Sequence, residues 1–188
     1  MTEANEIRVA VMVGSLRKGS YNQALYRAAL ELAPNTMRLR QVSIGDLPFY
    51  SPDIDQPGEA PLSAETFRAE LRSADALLIV TPEYNHSLPG VVKNALDWAS
   101  RPYDDAPIHN KPAAVMGVSG SPTGAARSQL HLRAISGALR LHLLTSPNVM
   151  VGNAAEKFDV SGNLTDQGTR DQVQSLLVAL EAWTRRLG

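Results

Sequence analysis

The sequence predicts an α/β fold: a three-layer sandwich in which one parallel sheet is covered by helices on both faces. Three observations carry this. Apolar runs of strand length alternate five times with longer segments of helical period. The run Ala76-Leu77-Leu78-Ile79-Val80-Thr81 is almost wholly apolar, as a strand covered on both faces requires. No internal repeat, low-complexity tract or shift in composition divides the chain, so a single domain is expected over residues 1–188. A chain of this length buries roughly 70% of the surface its unfolded form exposes.

The elements follow in order. Residues 7–13 form a first strand that stops at Gly14, and residues 21–33 then set Tyr21, Leu25, Ala28 and Leu32 on one helical face. A second strand spans 37–42, and the Pro- and Asp-containing stretch 46–61 reads as an irregular loop. Helical period resumes over 62–73. The third strand, 76–81, is followed by a helix over 89–100 that buries Val92, Ala95, Leu96 and Ala99. Residues 112–118 give a fourth strand, and 124–139 a helix with Leu130, Ala134, Ile135 and Ala138 as its inward residues. The fifth strand spans 141–151; Pro147 lacks an amide donor and belongs at a sheet edge or just past a strand end. A last helix, 169–187, uses Val173, Leu176, Leu177, Leu180 and Trp183. Right-handed crossovers join the units.

Composition excludes several chemistries. There is no cysteine, hence no disulfide, thiolate metal site or cysteine nucleophile. Eighteen basic and nineteen acidic residues leave a net charge of −1 with no run of either sign, unlike a nucleic-acid or membrane-surface binder. The start, Met1 to Glu6, is acidic, and the apolar stretch after it is too short to span a bilayer, so a cytoplasmic protein is expected. The histidines lack zinc-site spacing; His131 and His142 read as packing or surface residues and His109 as a loop residue.

Sheets of this kind bind ligands beyond the carboxyl ends of their strands, which directs attention to the loops after strands one, three and four. The first loop, from Gly14, opens a helix. Ser20 and Gln23 fit a capping box, so free amides at the helix start face back into the loop and favour an anion. Ser15, Ser20 and Asn22 add side-chain donors, with Tyr21 beside them, and Arg17 can grip two phosphate oxygens. Ser20 and Tyr21 stand where a P-loop needs Lys and Ser/Thr, and Leu16 replaces the second glycine of the dinucleotide fingerprint. A mononucleotide phosphate fits better than either.

The loop from Thr81 to Gly90 carries prolines at both ends. The amides of Glu83, Tyr84 and Asn85 are expected to read the edge of a planar heterocycle next to Pro82, with Tyr84 stacking on it or lining it. The small, donor-rich loop Ser119-Gly120-Ser121-Pro122-Thr123-Gly124 is expected to set amides against a carbonyl edge where negative charge develops on reduction, as on a flavin. Gly117 to Ser121 resembles a nucleophile elbow, but its second glycine falls one place early, against a serine hydrolase.

The pattern Gly14-Ser15-Leu16-Arg17-x-Gly19-Ser20-x-Asn22, with Pro82-Glu83-Tyr84-Asn85-x-Ser87-x-Pro89-Gly90-x-x-Lys93-Asn94-Ala95-x-Asp97-Trp98, resembles the NADPH-dependent FMN reductase family, whose members include quinone, chromate and azo-dye reductases. The resemblance implies a flavodoxin-like fold with strand order 2-1-3-4-5, non-covalent FMN, and dimers or tetramers with the flavin near a subunit interface. It implies NADPH or NADH as hydride donor, small-molecule acceptors, and a ping-pong cycle on one face. By position, the FMN phosphate falls to Ser15, Arg17, Ser20 and Asn22. The ring falls to Pro82, Glu83, Tyr84 and Asn85, with Ser119, Gly120, Ser121 and Gly124 opposite. No residue is assigned as catalytic, His86 included, because the cofactor itself carries the hydride. Arg101 is placed as a nucleotide-phosphate contact. Two other functions share the cofactor: a flavodoxin-type electron carrier, which usually has a strongly acidic surface, and an FMN-binding protein without turnover.

Overall fold

The computed structural model describes residues 6–188. The acidic start at residues 1–5 lies outside the described residues.

Eleven regular elements follow one another: β1 (Ile7–Val13), α1 (Tyr21–Leu32), β2 (Met37–Gln41), α2 (Leu62–Ser73), β3 (Ala76–Val80), α3 (Gly90–Ala99), β4 (Pro112–Val118), α4 (Ala126–Ser136), β5 (His142–Leu143), β6 (Val149–Val151) and α5 (Gln167–Leu187). The sheet is parallel throughout, in the order β2-β1-β3-β4-β5, with β6 also on β4. This is the flavodoxin-like arrangement expected. Val13 lies level with Val80, and the Gly14 amide donates to the Val80 carbonyl at 2.8 Å, so the loops after β1 and β3 leave the sheet side by side.

The period of two along each strand sorts the core into two layers. Val9, Val11, Val13, Leu78, Val80, Met116 and Val118 face α1 and α5; Ala10, Met12, Leu77, Ile79, Ala113 and Val115 face α2 and α3. Every residue of β3 and β4 is buried, which accounts for their unbroken apolar composition.

Two expectations need correction. The fifth strand is two short pieces on one edge of β4: His142 and Leu143 pair with Pro112 and Ala113, and Val149 to Val151 pair with Met116 to Val118. Pro147 falls in the gap, where no ladder amide is needed. The helix over 124–139 is shorter and differently turned. Gly124 and Ala125 are both left-handed, at φ +59° and +62°, so α4 starts at Ala126. Leu130, Ala134 and Ala138 are exposed, while Ser128, Gln129 and Leu132 are buried. The buried polar pair is partnered from distant chain: Gln129 Nε2 donates to Val149 O at 2.8 Å, while its Oε1 has no partner among the described residues, and Ser128 Oγ lies 3.0 Å from Thr81 Oγ1. Trp183 is half-buried and donates its indole N–H to His142 O.

Apart from a short turn at Pro52–Ile54, the 46–61 stretch is irregular as expected, but it is firmly tied. Asn94 donates to the Leu47 and Pro48 carbonyls and accepts from the Tyr50 amide, and Trp98 Nε1 donates to Pro48 O at 2.8 Å. Arg68 grips Asp55 through two bonds of 2.7 and 2.6 Å, with both side chains almost fully buried, and its guanidinium lies over the Trp98 ring. Asn94 and Trp98, which close the second sequence motif, thus hold this strap to α3.

Candidate cofactor site

A cleft of about 530 Å³, open to solvent, sits at the carboxyl ends of β1, β3 and β4. This is where strand order reverses. Its lining contains ten of the thirteen residues singled out in the sequence: Ser15, Arg17, Ser20, Tyr21 and Asn22 from the first loop; Pro82, Glu83 and Tyr84 from the second; Ser119 and Gly120 from the third, together with Val118. Asn85, Ser121 and Gly124 lie outside it.

The first loop is largely uncommitted. Ser20 caps α1, its Oγ accepting from the amides of Asn22 and Gln23 at 3.2 and 3.3 Å. The reciprocal half of the capping box does not form, because the Gln23 carboxamide donates to Gln41 instead. None of the amides of Ser15, Leu16, Arg17, Lys18 or Gly19 donates to a described residue. Five such donors lie next to the positive end of a helix, which favours an anion, and Ser15 and Arg17 among them line the cleft. The Arg17 guanidinium folds onto Gly19 O at 2.8 Å, leaving further N–H groups at the cleft.

Asn22 has a different task from the one expected. It is buried, and its carboxamide exchanges two hydrogen bonds with Val118, donating to its carbonyl at 2.9 Å and accepting from its amide at 3.1 Å. It clasps the start of α1 to the end of β4.

The second loop is committed to itself. Tyr84 and Ser87 exchange amide-to-carbonyl bonds of 3.0 Å around Asn85 and His86, both left-handed at φ +50° and +62°. The Tyr84 amide is therefore not free to read a ring, contrary to expectation, and Asn85 occupies an exposed turn tip. The Tyr84 hydroxyl meets Ser15 Oγ at 3.4 Å across the cleft mouth. The Glu83 carboxylate, 6% exposed, accepts from the Arg127 amide at 2.8 Å and from its guanidinium at 3.2 Å, anchoring the first turn of α4. Burial pushes the Glu83 pKa up, but these bonds outweigh it and hold it below the ordinary carboxylate value. His86 Nδ1 lies 2.9 Å from the same guanidinium and 3.4 Å from Glu83 Oε1. Nothing in the sequence singles out Arg127; its partner is forty-four positions away.

In the third loop, the Ser119 amide donates to Val151 O, the Ser121 amide to Ser119 Oγ and the Gly124 amide to Ser121 O, so the amides of Gly120 and Thr123 are the ones without a partner among the described residues. A side chain at Gly120 would meet open space, whereas Gly124 packs against the Met150 backbone, where a Cβ would come within 2.6 Å. Arg101 follows the far end of α3, a helix that starts beside the cleft and runs about 15 Å away from it. Its guanidinium lies over Tyr50 instead.

These residues fit FMN. The first-loop amides and Arg17 suit a phosphate, Gly120 offers a donor beside open space, and the only acid in the lining, Glu83, is turned to α4 and neutralised there. Fold and cleft together define a mononucleotide-binding protein of the flavodoxin-like class. Within that class, residues 7–156 match the family model for NADPH-dependent FMN reductases, and the chain belongs to that family. It is 45% identical to an NAD(P)H-dependent FMN reductase of Pseudomonas aeruginosa, with 98% of each chain covered. It is 41% identical to a 2-hydroxy-1,4-benzoquinone reductase of a Burkholderia species, covering 95% of this chain and 97% of the relative. Among solved structures, the flavoenzyme FerB, an NAD(P)H:(acceptor) oxidoreductase from Paracoccus denitrificans, superposes with a TM-score of 0.89 at 37% identity, covering 97% of this chain and 99% of that one.

Proposed function

We propose that this chain is an NAD(P)H-dependent, FMN-containing quinone reductase. The observation that carries the reading is the row of uncommitted amides from Ser15 to Gly19, set in an acid-neutralised cleft at the strand-order reversal. The full-length similarity to FMN and quinone reductases supports it.

Bound FMN supplies the hydride acceptor and donor, so the protein's work is positional and electrostatic. Arg17, the first-loop amides and the Ser20-capped start of α1 hold the phosphate. Pro82 and the backbone at Glu83 set the ring, Gly120 faces its opposite edge, and Tyr84 stands at the mouth where donor and acceptor stack in turn. One face serving both partners gives a ping-pong cycle, with azo compounds, chromate and free flavin as further acceptors. The near-neutral charge favours turnover over a carrier that docks through an acidic surface. The exposed Leu130 on α4, next to the second loop, supports a homodimer or homotetramer that covers this side of the cleft. Among the described residues no helix is long and apolar enough to cross a membrane, in line with action in the cytoplasm.

The test is the absorption spectrum of the purified protein, followed by NADPH and a benzoquinone. A yellow protein that consumes nicotinamide absorbance only while quinone is present is expected. Colourless protein that refuses added FMN overturns the cofactor assignment. Yellow protein that leaves NADPH untouched overturns the enzyme assignment.

A further inference from the structure

A groove of about 480 Å³ lies on the α2 side of the sheet, at its open β2 edge, and shares no residue with the cofactor cleft. Its floor is apolar and buried, formed by Ala10, Val42 and Ala74, and its walls carry Arg8, Arg38 and Arg40. The strand register brings these together. Arg8 lies level with Arg38 and Ala10 with Arg40, so three guanidinium groups and one small side chain share a face of two strands about 4.8 Å apart. Like charges level with each other on neighbouring strands repel. Each arginine therefore has its own acid: Arg8 bonds Asp75 at 2.9 and 3.1 Å, Arg38 Nε bonds Glu6 at 2.6 Å, and Arg40 Nη2 lies 3.0 Å from Glu70. All three arginine side chains are more than half exposed, and exposed pairs of this kind are weak. Arg38 and Arg40 spend one nitrogen each on these contacts, so most of their N–H groups have no partner among the described residues. Lys111 donates to Ala74 O and adds a fourth cation behind the floor. Burial lowers its pKa below the ordinary lysine value; Asp75 opposes that fall and Arg8 adds to it. The groove and its partners thus set four cations against the carboxylates of Glu6, Glu70 and Asp75, an excess of one positive charge above an apolar floor. The strand edge itself offers little to a peptide. The Val42 amide donates to Val11 O, so the even-numbered amides of β2 face β1; of those that face outward, Gln41's is bonded to the Tyr26 hydroxyl at 3.1 Å, which leaves Leu39's.

We propose that this groove binds a small organic monoanion, a carboxylate on an apolar body, with its oxygens on Arg38 and Arg40 and its body over Ala10 and Val42. A guanidinium meets a carboxylate in a planar, two-pronged pair, which supplies the charge recognition, and the volume is that of a small-molecule site. A phosphate dianion would bring two charges to an excess of one, beside Glu70. Two sources present the same chemistry: a fatty acid of medium length and an aromatic acid. The inference goes beyond the FMN assignment and does not depend on it.

Calorimetry on the purified protein tests this with octanoate and benzoate as probes. Acetate serves as the anion without a body, and octanol as the body without an anion. We expect one saturable site, for octanoate if a fatty acid is the source or for benzoate if an aromatic acid is, with acetate and octanol at least about tenfold weaker. In Arg38→Gln/Arg40→Gln the preferred acid should bind at least about tenfold more weakly, whereas Arg186→Gln, an exposed arginine outside the groove, should leave it within about twofold. Arg38 and Arg40 are exposed on an edge strand, so the double variant keeps the fold; Arg40→Gln alone is the second variant and is expected to move the same quantity in the same direction. The proposal is overturned if neither acid binds saturably, if acetate binds as well as both, or if the double variant binds as tightly as wild type. FMN uptake is read on the same samples: a groove that fails this test in yellow protein leaves the proposed function standing, and colourless protein that binds the acid as described leaves the groove standing.

Discussion

The loops after β1 and β3 leave the sheet side by side, yet they use their polar groups in opposite ways. From Ser15 to Gly19 the first keeps its amides without partners among the described residues; it is held at its ends by Gly14 on Val80 and the Ser20 cap, and between them only by side-chain bonds from Arg17 to Gly19 O and between Ser15 and the Tyr84 hydroxyl. The second closes on itself through Tyr84 and Ser87 and fastens Glu83 to α4. A segment that receives charge keeps its donors free and borrows rigidity from its neighbours. A segment that offers a surface to a ring fixes its own shape first. On this view, changes in the first loop act on cofactor affinity, and changes in the second act on stability.

The sharpest break in that division is Asn22→Ala, in the first loop's own helix. It strips partners from the buried amide and carbonyl of Val118, and we expect a loss on the order of 3 kcal/mol, read as a lower midpoint in denaturant. If Asn22 served the ligand alone, the midpoint would hold and only FMN affinity would fall. Next comes Arg17→Ala. We expect FMN to bind ten- to hundredfold more weakly in a fluorescence titration, about 1.5 to 3 kcal/mol, while the midpoint of the flavin-free protein stays put. Glu83→Gln should show the reverse pattern, about 1 to 2 kcal/mol less stable with FMN affinity within a few-fold. The Glu83 carboxyl titrates below its unfolded value of about 4.3, so its contribution is complete above that pH and is lost as pH falls through the lower, folded value. The Gln variant is therefore expected to converge on wild type in acid, and parallel curves down to pH 3 would exclude the carboxylate as the source. Smallest is Ser20→Ala, a lost cap costing about 1 kcal/mol in thermal melts.

What the sequence made legible follows from locality. The first strand and the Ser20 cap on α1 depend on neighbours within a few positions, and they stand as read, whereas the second half of the capping box and the task of Asn22 turn on Gln41 and Val118, which lie far along the chain. The apolar runs of β3 and β4 were equally plain, because burial on two faces leaves no alternation to misread. The inner face of α4 was not. Its buried positions include Ser128 and Gln129, whose partners on Thr81 and Val149 are supplied by distant chain, while Leu130 points outward. Likewise, loop residues could be picked for their donors, but whether the amide of Tyr84 or Ser119 is free depends on a turn and a strand edge that only the fold creates. The left-handed pair Gly124-Ala125 carries one residue that favours that conformation and one that does not, so its second half left no local trace.

The strap at residues 46–61 has a consequence of its own. A long stretch without regular structure is ordinarily where proteases cut first. Here its Asp55 is clamped by the buried Arg68 of α2, whose guanidinium lies over the Trp98 indole of α3, so the backbone around Asp55 could be presented for cleavage only after that clamp had opened. Limited digestion at this site would therefore report the opening of that half of the molecule rather than surface fluctuation.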